Sequence, residues 1–359
     1  MNELTPRIRL KDIAEKAGLS VAAVSMALKD HRSLPASTIE KVKALAEKMG
    51  YAPDPALSAL SAHRSRLKVR KDFSVIGLVS NWSNENGWNQ LGSAQEVIEG
   101  AKARALELGY TIQPMWSRLD GLTPKRFDQI LQTRGIRGLI LAPFEHPEDK
   151  LDIDWNKYSV VTIEKPFEYT HLHHIIQNQF SDLLLAQSEV RKRGYKRIGL
   201  VVRDDLAGRW GHQWESAHSL SQFSNNTLEQ TVPTLRLKDD NMNEHVELVR
   251  SWLQLFKPDA VLSRCDCFFE AADSLGLKIP HDLGYASLNV SDDSMGVSGI
   301  HQHRDVMGAT AIDVLNSMLQ RNFRGEHKVS IGTQVDGSWM EGNSLLKRFK
   351  PKTDGRRNG

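Results

Sequence analysis

At 359 residues the chain exceeds one small domain and implies two or three. Its 40% hydrophobic and 25% charged content suits a protein that buries a large core, and no run of eighteen apolar residues is present, which argues against a helical membrane span. The net charge of +3 is uneven: residues 1–71 carry fourteen Lys/Arg and seven Asp/Glu, a local +7, whereas the other 288 residues sum to −4. A basic head on a slightly acidic body is expected to meet a polyanion.

The N-terminal MNELTPRIRLKD has no apolar core of the kind a secretory signal needs, so the expected compartment is the cytoplasm. The first helix is predicted over LKDIAEKAG, with Leu10, Ile13, Ala14 and Ala17 at helical spacing and Gly18 placed to end it. Ser20 is a good N-cap for a second helix, Val21–Leu28, which carries no charge. Val24 and Leu28 lie on one side of it, and Val21, Ala22, Ser25 and Met26 towards the other. A third helix, PASTIEKVKALAEKMG, repeats apolar residues at Ile39, Val42, Leu45, Ala46 and Met49 and closes on Gly50. The spacing Ala14, Gly18, Val24 is that of a helix-turn-helix, although a generic three-helix bundle has it too.

From Phe73 the texture changes. VIGLVS, YTIQPMW, GLILAP, SVVTIEK, HHIIQN, RIGLVVR, DAVLSR and LGYASLN read as short apolar strands. Helical stretches such as AQEVIEGAKARALELG and SDLLLAQSEVRKRG lie between several of them, implying α/β architecture with parallel sheets covered on both faces. In such sheets ligands sit beyond the carboxyl ends of the strands. Those ends present Asn81 and Trp82, Trp116, Phe144, Glu164, Asn178, Arg203 and Asp204, Arg264 and Asp266, and Asn289, with Trp88 in the first loop. Aromatic faces ringed by polar groups suit a sugar-like or other small polar ligand, while packing or surface roles fit each residue taken singly.

Enzyme readings find little support. GxSxG and GxxxxGK[ST] are both absent from the sequence. His171, His173 and His174 in THLHH precede a strand and are read as surface residues, not metal ligands. Cys265 and Cys267 in SRCDCFF are read as free thiols, since a disulfide that close would be strained and no further ligand stands nearby in sequence. Neither a metal nor a cofactor is expected.

IRLKDIAEKAGLSVAAVSMAL, the helix ending AEKMGYAPD and the following LSALSAHR closely resemble the LacI/GalR family of bacterial transcription regulators, and the resemblance runs from residue 8 to about 346. It implies an all-α helix-turn-helix headpiece (1–53), a hinge helix and linker (54–72), and an effector-binding and dimerisation domain (73–346). That domain would have two Rossmann-like α/β subdomains of the periplasmic-binding-protein type I fold, crossed three times by the chain. A basic tail (347–359) follows, expected to be disordered. Under this reading DNA is met by Arg9, Leu10, Ser20, Val21, Ala22, Ser25 and Met26. Asp54 caps the hinge helix, Pro55 takes its first position, and Leu60 wedges into the minor groove.

Two departures from the family pattern bear on the effector. Where the family commonly has an aspartate anchor near the end of the GYASLN strand, this chain has Asn289. The family's effector-contacting arginine aligns with Arg209 only after a one-residue slip, beside Trp210. The resemblance implies a homodimeric regulator, in the first instance a repressor, that binds double-stranded, pseudo-palindromic operator DNA and responds to a small carbohydrate-like effector. The competing expectation is an effector-independent architectural DNA binder with a vestigial ligand cleft.

Overall fold

The computed structural model describes residues 8–28, 34–51, 74–89, 92–146, 149–164, 171–204, 211–225, 227, 230–238, 241–291 and 296–348. The head has three helices, α1 (Leu10–Ala17), α2 (Val21–Ala27) and α3 (Ala36–Lys48). The Asp12 carboxylate accepts from the Arg9 backbone N–H at 2.7 Å and closes the start of α1. Gly18 ends α1 at φ 67°, a left-handed turn that glycine adopts without penalty, and its neighbour Leu19 donates back to the Ala14 carbonyl. Ser20 caps α2 by accepting from Ala23 N–H at 3.1 Å. Ile13, Ala14 and Ala17 meet Val24, Ala27, Val42 and Ala46 in one small core, as the apolar spacing predicts.

Ten further strands and helices make up the first half of the body: β1 (Ser74–Ser80), α4 (Gly92–Leu108), β2 (Tyr110–Trp116), α5 (Pro124–Thr133), β3 (Gly138–Leu141), β4 (Ser159–Ile163), β5 (His173–Gln177), α6 (Gln179–Lys192), β6 (Ile198–Arg203) and α7 (Gln213–Asn225). The second half adds β7 (Leu235–Leu237), α8 (Met242–Phe256), β8 (Ala260–Ser263), α9 (Cys267–Ser274), β9 (Gly284–Val290), β10 (Gly299–His301), α10 (Arg304–Gln320), β11 (Gly332–Val335) and β12 (Ser338–Met340). All eight strands expected from the apolar runs are present. The short β7, β10, β11 and β12 were not anticipated.

Two six-stranded sheets result, ordered β11-β5-β4-β3-β1-β2 and β12-β10-β9-β8-β6-β7. β12 runs antiparallel to β10 at the second sheet's edge. Alternation explains the layering of that sheet. Leu200, Val202, Leu262 and Leu288 pack with α6 and α7, whereas Val201, Val261 and Tyr285 pack with α8 and α9. In the first sheet Val79, Leu139, Leu141 and Val160 meet Phe127 and Leu131 of α5. α10 comes down on β3, where Leu315 and Leu319 crowd Gly138, and crosses α4 at Gly308. A Cβ on Gly308 would stand 2.0 Å from the Val97 carbonyl oxygen, so only glycine permits this approach. Arg104–Asp313 at 2.8 Å and Tyr110–Asn316 at 3.0 Å flank the crossing.

Compactness divides the chain into two units. One holds Met1–Glu145, Asp149–His173 and Gly308–Ser330; the other holds His146–Glu148, His174–Met307 and Ile331–Gly359. β11 and the part of β5 that pairs with it, from His174 onward, fall in the second. Among the described residues no helix is long and apolar enough to cross a membrane.

THLHH requires a correction. His173 and His174 are buried, not surface residues. The His173 ring lies 4.4 Å from that of His327, which stacks on Phe323 at 4.0 Å, and Gly332 closes over His174. The segment reads as polar on paper because the residues that cover it come from about 150 positions later in the chain.

Candidate DNA-reading helix and ligand site

α2 buries one face and offers the other. Val24 and Ala27 are fully buried in the headpiece core, Ala22 is exposed and Val21 is 44% exposed, while Ser25 and Met26 are half-buried. An exposed valine and alanine at a helix start, beside the exposed Ser20, form a small apolar face with no charge of its own. Arg9 is exposed at the start of α1, and Leu10 packs half-buried against the headpiece core. Lys11, Lys16, Lys41, Lys43 and Lys48 are exposed on the same small domain, the positive field a phosphate backbone needs. Asp54 and Leu60 lie outside the described residues, as do Arg209 and Trp210.

The first unit gathers aromatic rings where β1, β2 and β3 end. The Trp116 indole N–H donates to the Trp82 carbonyl at 2.8 Å, and the Trp82 indole N–H to the Pro143 carbonyl at 2.8 Å. Ser83 ties the same turn to Glu145 through its backbone N–H (2.8 Å) and hydroxyl (2.9 Å). Both indole donors are thus spent within the protein, and the rings are pinned as faces. Phe144 is half-buried beside them, Trp88 is buried, and Glu164 is half-buried at φ 64°. Asn81 differs from all of these. It is 2% exposed, and among the described residues neither its Oδ1 nor its Nδ2 has a hydrogen-bond partner. Leaving a buried amide unpaired costs about 1–3 kcal/mol, so a polar guest at this strand end would be rewarded. The sequence placed Asn81 at a strand end; its burial comes only from the fold.

The second unit's strand ends are charged. Arg203 and Asp204 are half-buried, and Arg236 reaches Asp204 at 3.8 Å and the buried Glu215 at 3.1 Å. Asn178 caps α6 by accepting from Ser181 N–H and donates to Asp336 at 2.7 Å, so much of its capacity is used structurally. Asn289 is half-buried, and Asp266 is exposed. Sequence reasoning overlooked Asp182, which is 1% exposed and accepts from Gln177 Nε2 at 2.8 Å and Gly337 N–H at 2.7 Å. Burial raises its carboxyl to about 6 against the pull of those two donors.

The cysteines also need a correction. They are free and buried as expected, but a third ligand-type side chain does stand near them: His245 of α8. Twenty residues of sequence separate it from Cys265, and only the packing of α8 on α9 brings them together.

Residues 9–54 match the family described as bacterial regulatory proteins, lacI family. Along most of its length the chain is similar to the HTH-type transcriptional repressor PurR of Salmonella arizonae, 24% identical over 326 residues, or 85% of this chain and 89% of the relative. The same values hold for PurR of Salmonella newport. Among solved structures, the transcriptional regulator CelR–cellobiose complex is similar with a TM-score of 0.56 at 15% identity, covering 94% of this chain and all of the other. The lac repressor dimer bound to operator and the anti-inducer ONPF is similar with a TM-score of 0.53 at 18% identity, covering 95% and 100%. A headpiece that matches the lacI family, repressors as relatives over most of the length and the fold of such regulators in the remainder together support a LacI/GalR family regulator.

Proposed function

We propose that this chain represses transcription by binding an operator through α2 and the neighbouring basic surface, and that a small polar ligand, carbohydrate-like in chemistry, sets its DNA affinity. The observation that carries this reading is the presentation of Val21 and Ala22 on a short helix whose opposite face is headpiece core. A helix start of that kind enters the major groove with its first residues against base edges. Apolar side chains there favour thymine methyl groups over guanine, which an arginine would select. The ligand half of the proposal rests on Asn81, a buried amide without a partner among the described residues, at the strand end that leads into the pinned Trp82. A purely architectural DNA binder would have no use for that arrangement. The relatives and neighbours named as repressors, and the neighbour holding cellobiose, support the same reading.

The protein acts as a homodimer in the cytoplasm and performs no catalysis on this reading. The ligand works by a coupling free energy: it binds the DNA-competent and DNA-incompetent states unequally, and operator affinity shifts by that difference. The test is a thermal-shift screen of mono- and oligosaccharides on the full-length protein, with each stabilising sugar retested for its effect on operator binding. At least one sugar should both raise the melting temperature and alter operator affinity. Stabilising sugars that leave operator affinity unchanged would refute ligand control, and operator binding unaffected by deletion of residues 1–71 would refute the headpiece assignment.

A further inference from the structure

The buried cysteines take no part in the DNA or ligand readings. Cys265 follows the end of β8, Cys267 opens α9, and their Sγ atoms lie 2.7 Å apart. His245 supplies a ring nitrogen from α8, and the three donor atoms all lie within 4.8 Å of one another. The three side chains are 3%, 6% and 1% exposed for His245, Cys265 and Cys267. His245 Nε2 stands 2.8 Å from the Lys238 carbonyl oxygen. A carbonyl can only accept, so Nε2 carries a proton and donates it, which in the neutral ring leaves the Nδ1 lone pair for an ion. Metal-binding histidines are held in this way, with one ring N–H anchored to an acceptor and the other nitrogen facing the ion.

We propose that His245, Cys265 and Cys267 form a buried binding site for a zinc(II) ion. Zinc sits about 2.3 Å from a thiolate and about 2.0–2.1 Å from an imidazole, so donors around one ion are separated by roughly 3.5–4 Å. The three donor atoms already share a volume of that size, and the sulfurs need to part by only about 1 Å. Binding replaces two S–H bonds with two Zn–S bonds, and both protons leave to solvent. The resulting centre, Zn²⁺ with two thiolates and a neutral imidazole, has no net charge. That suits its surroundings, which include Leu237, Val249, Phe268 and Tyr285. Copper(I) with the same ligands would leave one negative charge in this apolar shell, which is why zinc is preferred. No fourth His, Cys, Asp or Glu joins the cluster among the described residues, so one coordination position stays open to water or an exogenous ligand. Asp266 lies between the two cysteines, and the ion would clamp its loop, and the start of α9, to α8.

The test uses the full-length protein, reduced with a non-coordinating phosphine and stripped with a chelator. Cobalt(II) titration should give a thiolate-to-cobalt charge-transfer band saturating at one equivalent, and zinc should abolish the band by displacement. Zinc should also protect both thiols from alkylation under native conditions. Cys265→Ser and Cys267→Ser should each lose the band. His245→Gln should weaken binding by more than the roughly 10–100-fold that loss of an outer partner costs a metal site. Circular dichroism of each metal-free variant identifies any that fail to fold, and thiol protection in the wild type carries the test in that case. Three outcomes would overturn the proposal: no band and no protection with the wild type, His245→Gln binding zinc as tightly as wild type, or copper(I) buffered by a bathocuproine chelator binding while zinc does not.

Discussion

Asp182→Asn should stabilise the folded protein above neutral pH and leave it unchanged near pH 4. Asp182 is 1% exposed, and burial raises its carboxyl from 3.8 to about 6. Between those values the folded chain still holds a proton that the unfolded chain has released. Stability therefore falls as pH rises through that window, and the penalty is complete above it. A rise of about two pH units corresponds to about 3 kcal/mol at 1.36 kcal/mol per unit, an upper figure, since the loop can relax. The substituted amide would keep its Oδ1 as acceptor for Gly337 N–H. A half-turn of the Gln177 amide would then let the new Nδ2 donate to Gln177 Oε1, which has no partner among the described residues of the wild type. The neutral side chain thus loses no hydrogen bond and removes the buried charge. Urea unfolding of wild type and variant, followed by tryptophan fluorescence from pH 4 to pH 8, should give coincident stabilities at pH 4 and a gap of about 1–3 kcal/mol at pH 8. Parallel curves across the range, or a less stable variant at pH 8, would show that Asp182 is not a strained anion in the native state.

Val24→Ala should remove roughly 1–3 kcal/mol from the headpiece core and weaken operator binding, with ligand-induced thermal shifts unchanged. Met26→Arg should move the preferred half-site towards G·C at one position, read by randomised-operator selection on both proteins; identical enrichment would mean that this side chain does not face the bases. If Leu60 is the minor-groove wedge that the family resemblance implies, Leu60→Ala should weaken operator binding much more than binding to random DNA, measured by competition, because a wedge acts only at a bendable step. Asn81→Leu should leave the ligand-free melting temperature equal or higher and abolish the shift given by any sugar that stabilises the wild type.

Much of the fold is legible in the sequence wherever an element is long enough to show its period. The headpiece follows from Ala14, Gly18, Ser20 and Val24, each placed by local rules of capping, turn and packing. Seven of the eight expected strands follow from apolar runs because they are largely buried, and β2, at an edge, follows from its aromatic and β-branched residues. LRL, GIH, SWM and GTQV escape notice because runs of three or four residues carry no period, and GTQV is half polar. The ligand site is legible in part. Strand ends point to Trp82, Trp116 and Asn81, but nothing local says that both indole donors are consumed by carbonyls or that Asn81 is sealed from water. Long-range packing also decides the histidines. His173 and His174 look like surface until residues near 327 and 332 cover them, and His245 looks unrelated to SRCDCFF until α8 settles on α9.

The crossing of α10 on α4 bears on how the protein is made. Val97 receives Gly308 from more than two hundred residues downstream, and the core between β3 and α10 closes only when Leu315 and Leu319 arrive. A ribosome adding about 5–20 residues per second would finish the strands up to residue 145 well before it delivers that helix. For an interval on the order of ten seconds or more, one face of the first sheet would emerge without its cover while the whole of 174–307 is synthesised. That segment contains its own strands and its own helices for both faces, so it can condense first. Much of the second unit's core is therefore on hand before the first sheet receives its last helix, and only Trp339 and Leu345 join that core later still.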